Sequence, residues 1–355
     1  MPLLNQNVQT GVDDALQVMN RAFRPVVRRK DNGDLQVMTQ RNGTVILQNG
    51  AGMRVNSVLR KDAWKALEAE VIAAQKLAMP AVERLRGKGL VITDDLGKIM
   101  HEWDVQSEIV RPSVSIDGRD PDNQDAPDIV RRAITVPVVH QGFTFGERAM
   151  RASNLMPNSS IDTSLAMAAT QSVGEEFERF LFSGTGVKLS TYATTYGLTN
   201  HTYVNSTSNA GSAWSTFDGT EASDTITGVV RQFLQMMEAD RYRGPFTLYL
   251  EYNNYLEAST TKYSGTTQTP LQHIMSWPTI EAVVPVSSEF LAHGTMVGVQ
   301  EVPTVIRWVE EMPVNLVEWL SPDGWTHHFR VIGVGAPRIT ADYDGRCGVG
   351  IVTGL

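Results

Sequence analysis

The chain has 355 residues, 42% of them apolar and 20% charged, with a net charge of −8; this balance fits one elaborated core or two and excludes collagen, coiled coil and wholesale disorder. One cysteine, Cys347, rules out an intrachain disulfide and a multi-cysteine metal site, so burial alone must hold the fold. No stretch approaches the roughly 18 consecutive apolar residues of a membrane span, and the opening Met1-Pro2-Leu3-Leu4-Asn5-Gln6 is no basic-then-apolar leader, so neither membrane insertion nor secretion by that route is expected.

Charge is uneven along the chain. Residues 1–61 hold nine Arg or Lys against four Asp, a balance of +5 that leaves −13 on the other 294 residues. Arg21, Arg24, Arg28, Arg29 and Lys30 stand beside Pro25 among few large apolar residues, which predicts an N-terminal arm over residues 1–60 without a core of its own. Such an arm is either a solvated tail or a segment pinned on an acidic neighbour or facing nucleic acid. The Asn- and Gly-rich residues 40–52 read as turns. Over residues 61–86, Trp64, Leu67, Val71, Ala74 and Ala78 recur at helical spacing, with Asp62 as cap and Pro80 expected to kink or end the helix.

From about residue 101 to 148 the period shifts towards two. One extended run passes through Trp103, Val105, Ile109 and Val114, a second through Ile134, Val136 and Val138, and the turn-forming residues 116–123 lie between them. The pattern predicts a long hairpin with a charged tip. Pro112 and Pro137 inside its arms argue for an edge or a projecting ribbon. Two-stranded ribbons are marginal alone in water, so this one calls for a partner.

Residues 160–182 give the strongest helix signal, with Ile161, Leu165, Ala169, Val173, Phe177, Phe180 and Leu181 on one side and Glu175 spaced to pair with Arg179. The Thr-, Ser-, Gly- and Asn-rich residues 183–224 predict loops and short edge strands. A second unit follows, with helices over 224–239 and 253–262, the strand 246–250, and strand-like runs over 282–286, 295–299, 302–308, 314–319 and 327–334. Helices covering a mixed or antiparallel sheet make the fold class α+β.

Chemistry is sparse. None of the seven histidines has zinc-protease spacing, and His327-His328 at a strand start predicts one buried and one exposed ring. No phosphate loop, nucleophile elbow or Walker sequence is present. Asp120, Asp122, Asp125 and Asp128 fail the calcium-loop pattern, with Gln124 and Asp125 at positions that want a ligand and a glycine. Cys347 reads as an inert strand thiol. No catalytic, cofactor or metal residues are therefore assigned.

The order of parts resembles the tailed-phage major capsid proteins and the related encapsulins, the Hong Kong 97-type fold, over about residues 60–340. The resemblance rests on Arg132-Ala133-Ile134-Thr135-Val136-Pro137-Val138-Val139, on Ile161-Asp162 opening a helix that closes in Phe180-Leu181-Phe182-Ser183-Gly184, on Tyr196-Gly197-Leu198, and on Gly244-Pro245-Phe246-Thr247-Leu248. It implies a peripheral-domain helix in 61–100, an extension-loop hairpin in 101–148, a spine helix with peripheral-domain residues in 149–190, an axial domain in 191–325 and strands returning to the peripheral domain in 326–355.

By that resemblance the chain is a phage major capsid protein, assembled in the host bacterial cytoplasm into the virion shell. Its partners would be itself in hexamers and pentamers, with a portal replacing one pentamer, a scaffold during assembly and a cement or decoration protein. Double-stranded DNA would be enclosed without sequence-specific binding. The intersubunit contacts expected are Arg21, Arg24, Arg28, Arg29, Lys30, Arg111, Arg119, Asp120, Asp122, Arg131 and Arg132. The alternative is an encapsulin-type compartment holding a cargo enzyme, disfavoured by the roughly 60 residues before Trp64. A hydrolase built from distant His, Ser and Asp residues and a Thr- and Asn-rich adhesin are weaker readings. The founding phage crosslinks an extension-loop lysine to asparagine, but no lysine occurs between Lys98 and Lys188, so no isopeptide link through this hairpin is expected.

Overall fold

The computed structural model describes the backbone of residues 26–29, 35–41 and 44–48, and in full residues 71, 79–111, 114, 116, 126–148, 164–189, 193–209, 211, 213–220, 225–322 and 325–355, apart from a few single positions within these spans. Arg21, Arg24, Lys30, Arg119, Asp120, Asp122 and Asp125, most of the expected helix over 61–79, and Pro112 lie outside the described residues. The chain divides into two compact units, one of Met1–Ala78, Val139–Gly174 and Pro313–Gly333, the other of Met79–Val138, Glu175–Met312 and Val334–Leu355.

In the first unit, the region expected to be an arm followed by turns contains an antiparallel meander, β1 (Val26–Arg29), β2 (Leu35–Arg41) and β3 (Thr44–Gln48). Val27 stands opposite Val37 and Met38 opposite Leu47. The turn reading of residues 40–52 is thus corrected: Thr44-Val45-Ile46-Leu47 is a β-branched and apolar run, which outweighs the glycines flanking it. Arg28 and Arg29 fall on β1.

The second unit opens with α1 (Pro80–Gly87) and β4 (Val91–Thr93). Pro80 stands at the first position of this helix, where its missing N–H would have had no partner; the end of the helix expected before it lies outside the described residues. The hairpin follows as β5 (Met100–Gln106) and β6 (Ile129–Thr135), paired antiparallel from Met100 opposite Thr135 to Gln106 opposite Ile129. Strand β5 stops well before Ile109 and Val114, and Pro137 separates β6 from β7 (Val138–Gly146). Among the described residues the ladder thus ends at Gln106 opposite Ile129, with Pro127 just beyond it, since proline cannot donate to a ladder.

The long helix α2 (Ser164–Ser183) spans roughly 30 Å at 1.5 Å per residue. Ala169, Val173, Phe177, Phe180 and Leu181 are buried, whereas Leu165 is exposed. Arg179 pairs with Glu176 at 2.9 Å and Glu289 at 2.8 Å. At the end of α2 the glycines of two sequence motifs meet: a Cβ on Gly197 would lie 2.3 Å from the Phe182 carbonyl oxygen, so any larger residue would force the backbones apart.

The main core of the second unit is a five-stranded sheet in the order β10-β9-β11-β14-β8, made of β8 (Asn205–Ser208), β9 (Phe246–Glu251), β10 (Ile280–Val286), β11 (Thr295–Val299) and β14 (Val349–Thr353). The sheet is mixed, with β9 parallel to β10 and antiparallel to β11. Helix α3 (Thr225–Ala239) packs Ile226, Val229, Val230, Phe233 and Met237 into this core, joined by Trp214 and Leu248. Five such side chains contribute on the order of 10 kcal/mol of gross burial, an upper estimate. Phe233 sits so close that a Cβ on Gly298 would meet its ring at 2.1 Å. Helices α4 (Tyr252–Thr260) and α5 (Pro270–Met275) complete the layer. Strand β14 pairs with β11, Val299 opposite Val349, so residues 349–353 belong to this sheet and not with the return strands expected over 326–355.

The runs expected at 302–308 and 314–319 form one strand, β12 (Ile306–Leu320), followed by β13 (Thr326–Ile339). In the second unit β12 runs parallel to β4, Trp308 opposite Val91. In the first unit β13 lies between β12 and β7, with Phe329 stacked on Phe143 at 5.2 Å.

Candidate assembly surface

The hairpin β5–β6 and the residues that follow β5 carry large apolar side chains into solvent. Ile109 is 64% exposed, Val114 95% and Ile129 66%, and Ile116 is fully exposed. Large apolar side chains exposed together mark an interaction surface, and a two-stranded ribbon needs support to persist. Its base is packed: Ile134 and Val136 join Val309, Val334 and Ala336 in a small core, with Trp103 against it and Arg338 4.6 Å above the Trp103 ring.

Polar ties hold the hairpin to the loop around residues 341–346. Arg132 donates from Nη1 to the Ala341 carbonyl at 3.1 Å and from Nη2 to the Asp342 carbonyl at 2.9 Å, and lies over the Tyr203 ring at 4.5 Å. Glu108 receives Arg241 at 3.0 Å and Arg346 at 3.1 Å. The Tyr343 hydroxyl reaches Asp128 at 3.4 Å. Across the two strands Arg131 binds Asp104 at 2.9 Å, which lowers the Asp104 carboxyl below its usual range.

The contact residues expected from sequence therefore divide. Arg131 is exposed on the ribbon and tied to Asp104, Arg132 is half-buried and engaged within its own chain, and Arg111 is exposed just past β5. Sequence reasoning did not single out Glu108, Arg241, Tyr343 and Arg346, which share no local pattern because up to 238 residues separate the partners.

Buried polar groups of the second unit are structural. Glu178 on α2 accepts the backbone N–H groups of Ala81 at 3.1 Å and Val82 at 3.3 Å, capping α1, which has no side-chain cap of its own. Burial pushes its carboxyl up to about 7 against those two donors. Glu301 sits among Lys88 at 2.7 Å, Arg84 at 3.0 Å and the Tyr249 hydroxyl at 2.5 Å. Burial would raise its pKa, but the bonds from Lys88 and Tyr249 and the charge of Arg84 outweigh that and lower it.

Histidines and acids likewise resolve into ties. In the first unit His327 is buried with Nε2 2.9 Å from Glu147 and Nδ1 3.2 Å from Glu318, while His328 is half-buried and stacked on Trp319 at 5.3 Å. Burial, reinforced by Arg132, drives His201 down to about 4. Burial also raises the Cys347 thiol to about 12, consistent with an inert core thiol; it lies in an isolated bridge to Ala341 and not in a strand. Glu108, Asp342 and Asp344 converge, but the Arg346 guanidinium fills the space between them at 3.1, 3.6 and 3.2 Å.

Residues 53–352 match the profile of a family described as "Family of unknown function (DUF6260)". The chain belongs to that family. No curated protein matches it. Among solved structures it is similar to a virus-like particle from Pyrococcus furiosus, at TM-score 0.53 and 12% identity over 81% of this chain and 98% of that one. It is also similar to the capsid of Myoviridae phage XM1, at TM-score 0.56 and 12% identity over 76% and 90% of the two chains. A third likeness is to Mycobacterium phage Bobi, at TM-score 0.53 and 13% identity over 75% and 89%. This member of the family has the Hong Kong 97-type capsid fold. Among the described residues no helix is long and apolar enough to cross a membrane.

Proposed function

We propose that the chain is the major capsid protein of a tailed bacteriophage, building an icosahedral shell around double-stranded DNA. The observation that carries this reading is the hairpin: a ribbon with Ile109, Val114, Ile116 and Ile129 exposed, on a fold shared with phage capsids and a virus-like particle. In a closed shell each such surface meets another copy, and many modest contacts engaged together become strong. The role is structural, not catalytic. The arm, residues 1–60, and the hairpin reach neighbouring copies in hexamers and pentamers; Arg131 and Arg111 contribute from the ribbon, Arg28 and Arg29 from the arm, and Arg132 positions the ribbon. A portal at one vertex, a scaffold, a decoration protein and assembly in the bacterial cytoplasm complete the reading.

Electron microscopy and sedimentation of the purified full chain test it. Closed shells of uniform diameter are expected. A compact monomer at high concentration overturns the reading, and empty shells that copurify with one folded enzyme turn it towards a cargo compartment.

A further inference from the structure

At the root of the hairpin, apart from its tip, the second unit has an open cleft of about 530 Å3. Its walls include Ile92 and the exposed side chains of Ile99 and Leu189, and the adjoining turn exposes Leu96 at 60%. Asp94 and Glu102 line it. Asp94 is held down at about 2 by His101, whose Nδ1 lies 2.9 Å away, and by the Lys98 ammonium. Asp95 is exposed beside it, and Glu311, close enough to feel the Asp94 charge, keeps a buried Oε1 with no hydrogen-bond partner. Lys98 already serves Asp94, and Arg131 serves Asp104 before Glu102, at 2.9 against 3.6 Å. An apolar floor with an acidic rim short of cations is left facing solvent.

One segment of the sequence has the opposite character. Residues 21–30, Arg-Ala-Phe-Arg-Pro-Val-Val-Arg-Arg-Lys, carry five cations, no carboxylate and the apolar Phe23, Val26 and Val27. We propose that the cleft at the hairpin root receives residues 21–30 of a neighbouring copy, β1 remaining the edge strand of its own meander, with Phe23 entering against Ile99 and Leu189 and the arginines meeting Asp95 and Glu102. The match of charge selects this occupant, and opposed charges fix register and exclude wrong neighbours. The inference rests on the shell reading and names the surface that takes the arm.

The test uses particles of the full chain carrying Phe23→Cys with Leu96→Cys; Cys347 is buried and stays silent. Mild oxidation is expected to give a ladder of covalent dimers, trimers and higher species on a denaturing gel, with neither single variant forming more than dimers. Adding Asp95→Lys and Glu102→Lys should cut the ladder by about tenfold, and Arg28→Glu with Arg29→Glu should restore it. Particles whose chains all run as monomers overturn the proposal while leaving the shell reading intact, as does an internally crosslinked monomer, which would place the arm in its own cleft. A ladder that vanishes when particles are emptied of nucleic acid also overturns it, by giving the arm to DNA. Failure of the wild-type chain to form particles removes the shell reading itself.

Discussion

The five-stranded sheet and the hairpin β5–β6 belong to the same unit and use opposite means to persist. The sheet buries every residue of β9 and β11 and is sealed by the Phe233 ring against Gly298. The hairpin leaves Ile109, Val114, Ile116 and Ile129 exposed and is held along its length by Arg132, Glu108 and Asp128. Apolar burial is non-directional and large, whereas surface ion pairs contribute little singly. The sheet is therefore complete within one chain, while the hairpin is positioned by its own chain and completed by something else.

The sharpest way to break this contrast is Phe233→Ala. Removing a fully buried aromatic ring is expected to cost about 3–5 kcal/mol, read as a lowered midpoint in denaturant unfolding of the unassembled subunit. A loss under about 1 kcal/mol would mean that the sheet is no more self-sufficient than the ribbon.

Glu178 supplies the next effect, through pH. Its folded carboxyl titrates at about 7 against an ordinary 4.5, so between these values the unfolded chain gives up a proton that the folded chain keeps. Stability is therefore highest at or below pH 4.5 from this group, falls as pH rises to 7, and levels above it, a span of about 3 kcal/mol. Glu178→Gln keeps one acceptor oxygen and removes the ionisation, so its unfolding midpoint should vary less across that window. Identical wild-type and variant profiles from pH 4.5 to 8 would contradict the assignment.

Arg132→Ala tests the anchor. It leaves the Ala341 and Asp342 carbonyls without their guanidinium and is expected to cost about 1–3 kcal/mol, concentrated in the hairpin. Hydrogen exchange should accelerate at residues 129–135 and 341–346 while β9 and β11 stay protected. Uniform acceleration would instead make Arg132 part of the global core.

Legibility in the sequence follows the same division. Helices α2 and α3 show in the chain because their periodicity is enforced by one buried face, and strands β9 and β11 because burial on both faces makes them short, nearly continuous apolar runs. Strand β14 is hidden because Gly350 interrupts its apolar run, although the sheet requires that glycine beside Phe233 and Met237. Helix α5 carries a readable sign, the reciprocal capping of Thr269 and Gln272 around Pro270 and Leu271. The ties at Glu108, Glu178, Glu301 and His327 link residues far apart, so nothing local announces them. The exposed apolar residues of the hairpin are legible as part of a ribbon in need of a partner, but its packed base is not, because Arg132 reads equally well as an outward contact.

The smallest effect on the isolated subunit separates the two regions most cleanly. Ile109→Ser with Ile116→Ser removes two apolar side chains that the folded chain leaves in solvent, at 64% exposure for Ile109 and full exposure for Ile116, so the unassembled subunit should change by no more than about 0.5 kcal/mol. Assembly should respond differently, because each copy loses apolar contact area at every interface where the ribbon lies, and the loss multiplies over the shell. Sedimentation is expected to show particles giving way to free subunits at unchanged unfolding midpoint. If particles form normally, the exposed ribbon is not the surface on which copies meet; if the subunit unfolds instead, those side chains were supporting the fold and the contrast between sheet and hairpin is lost.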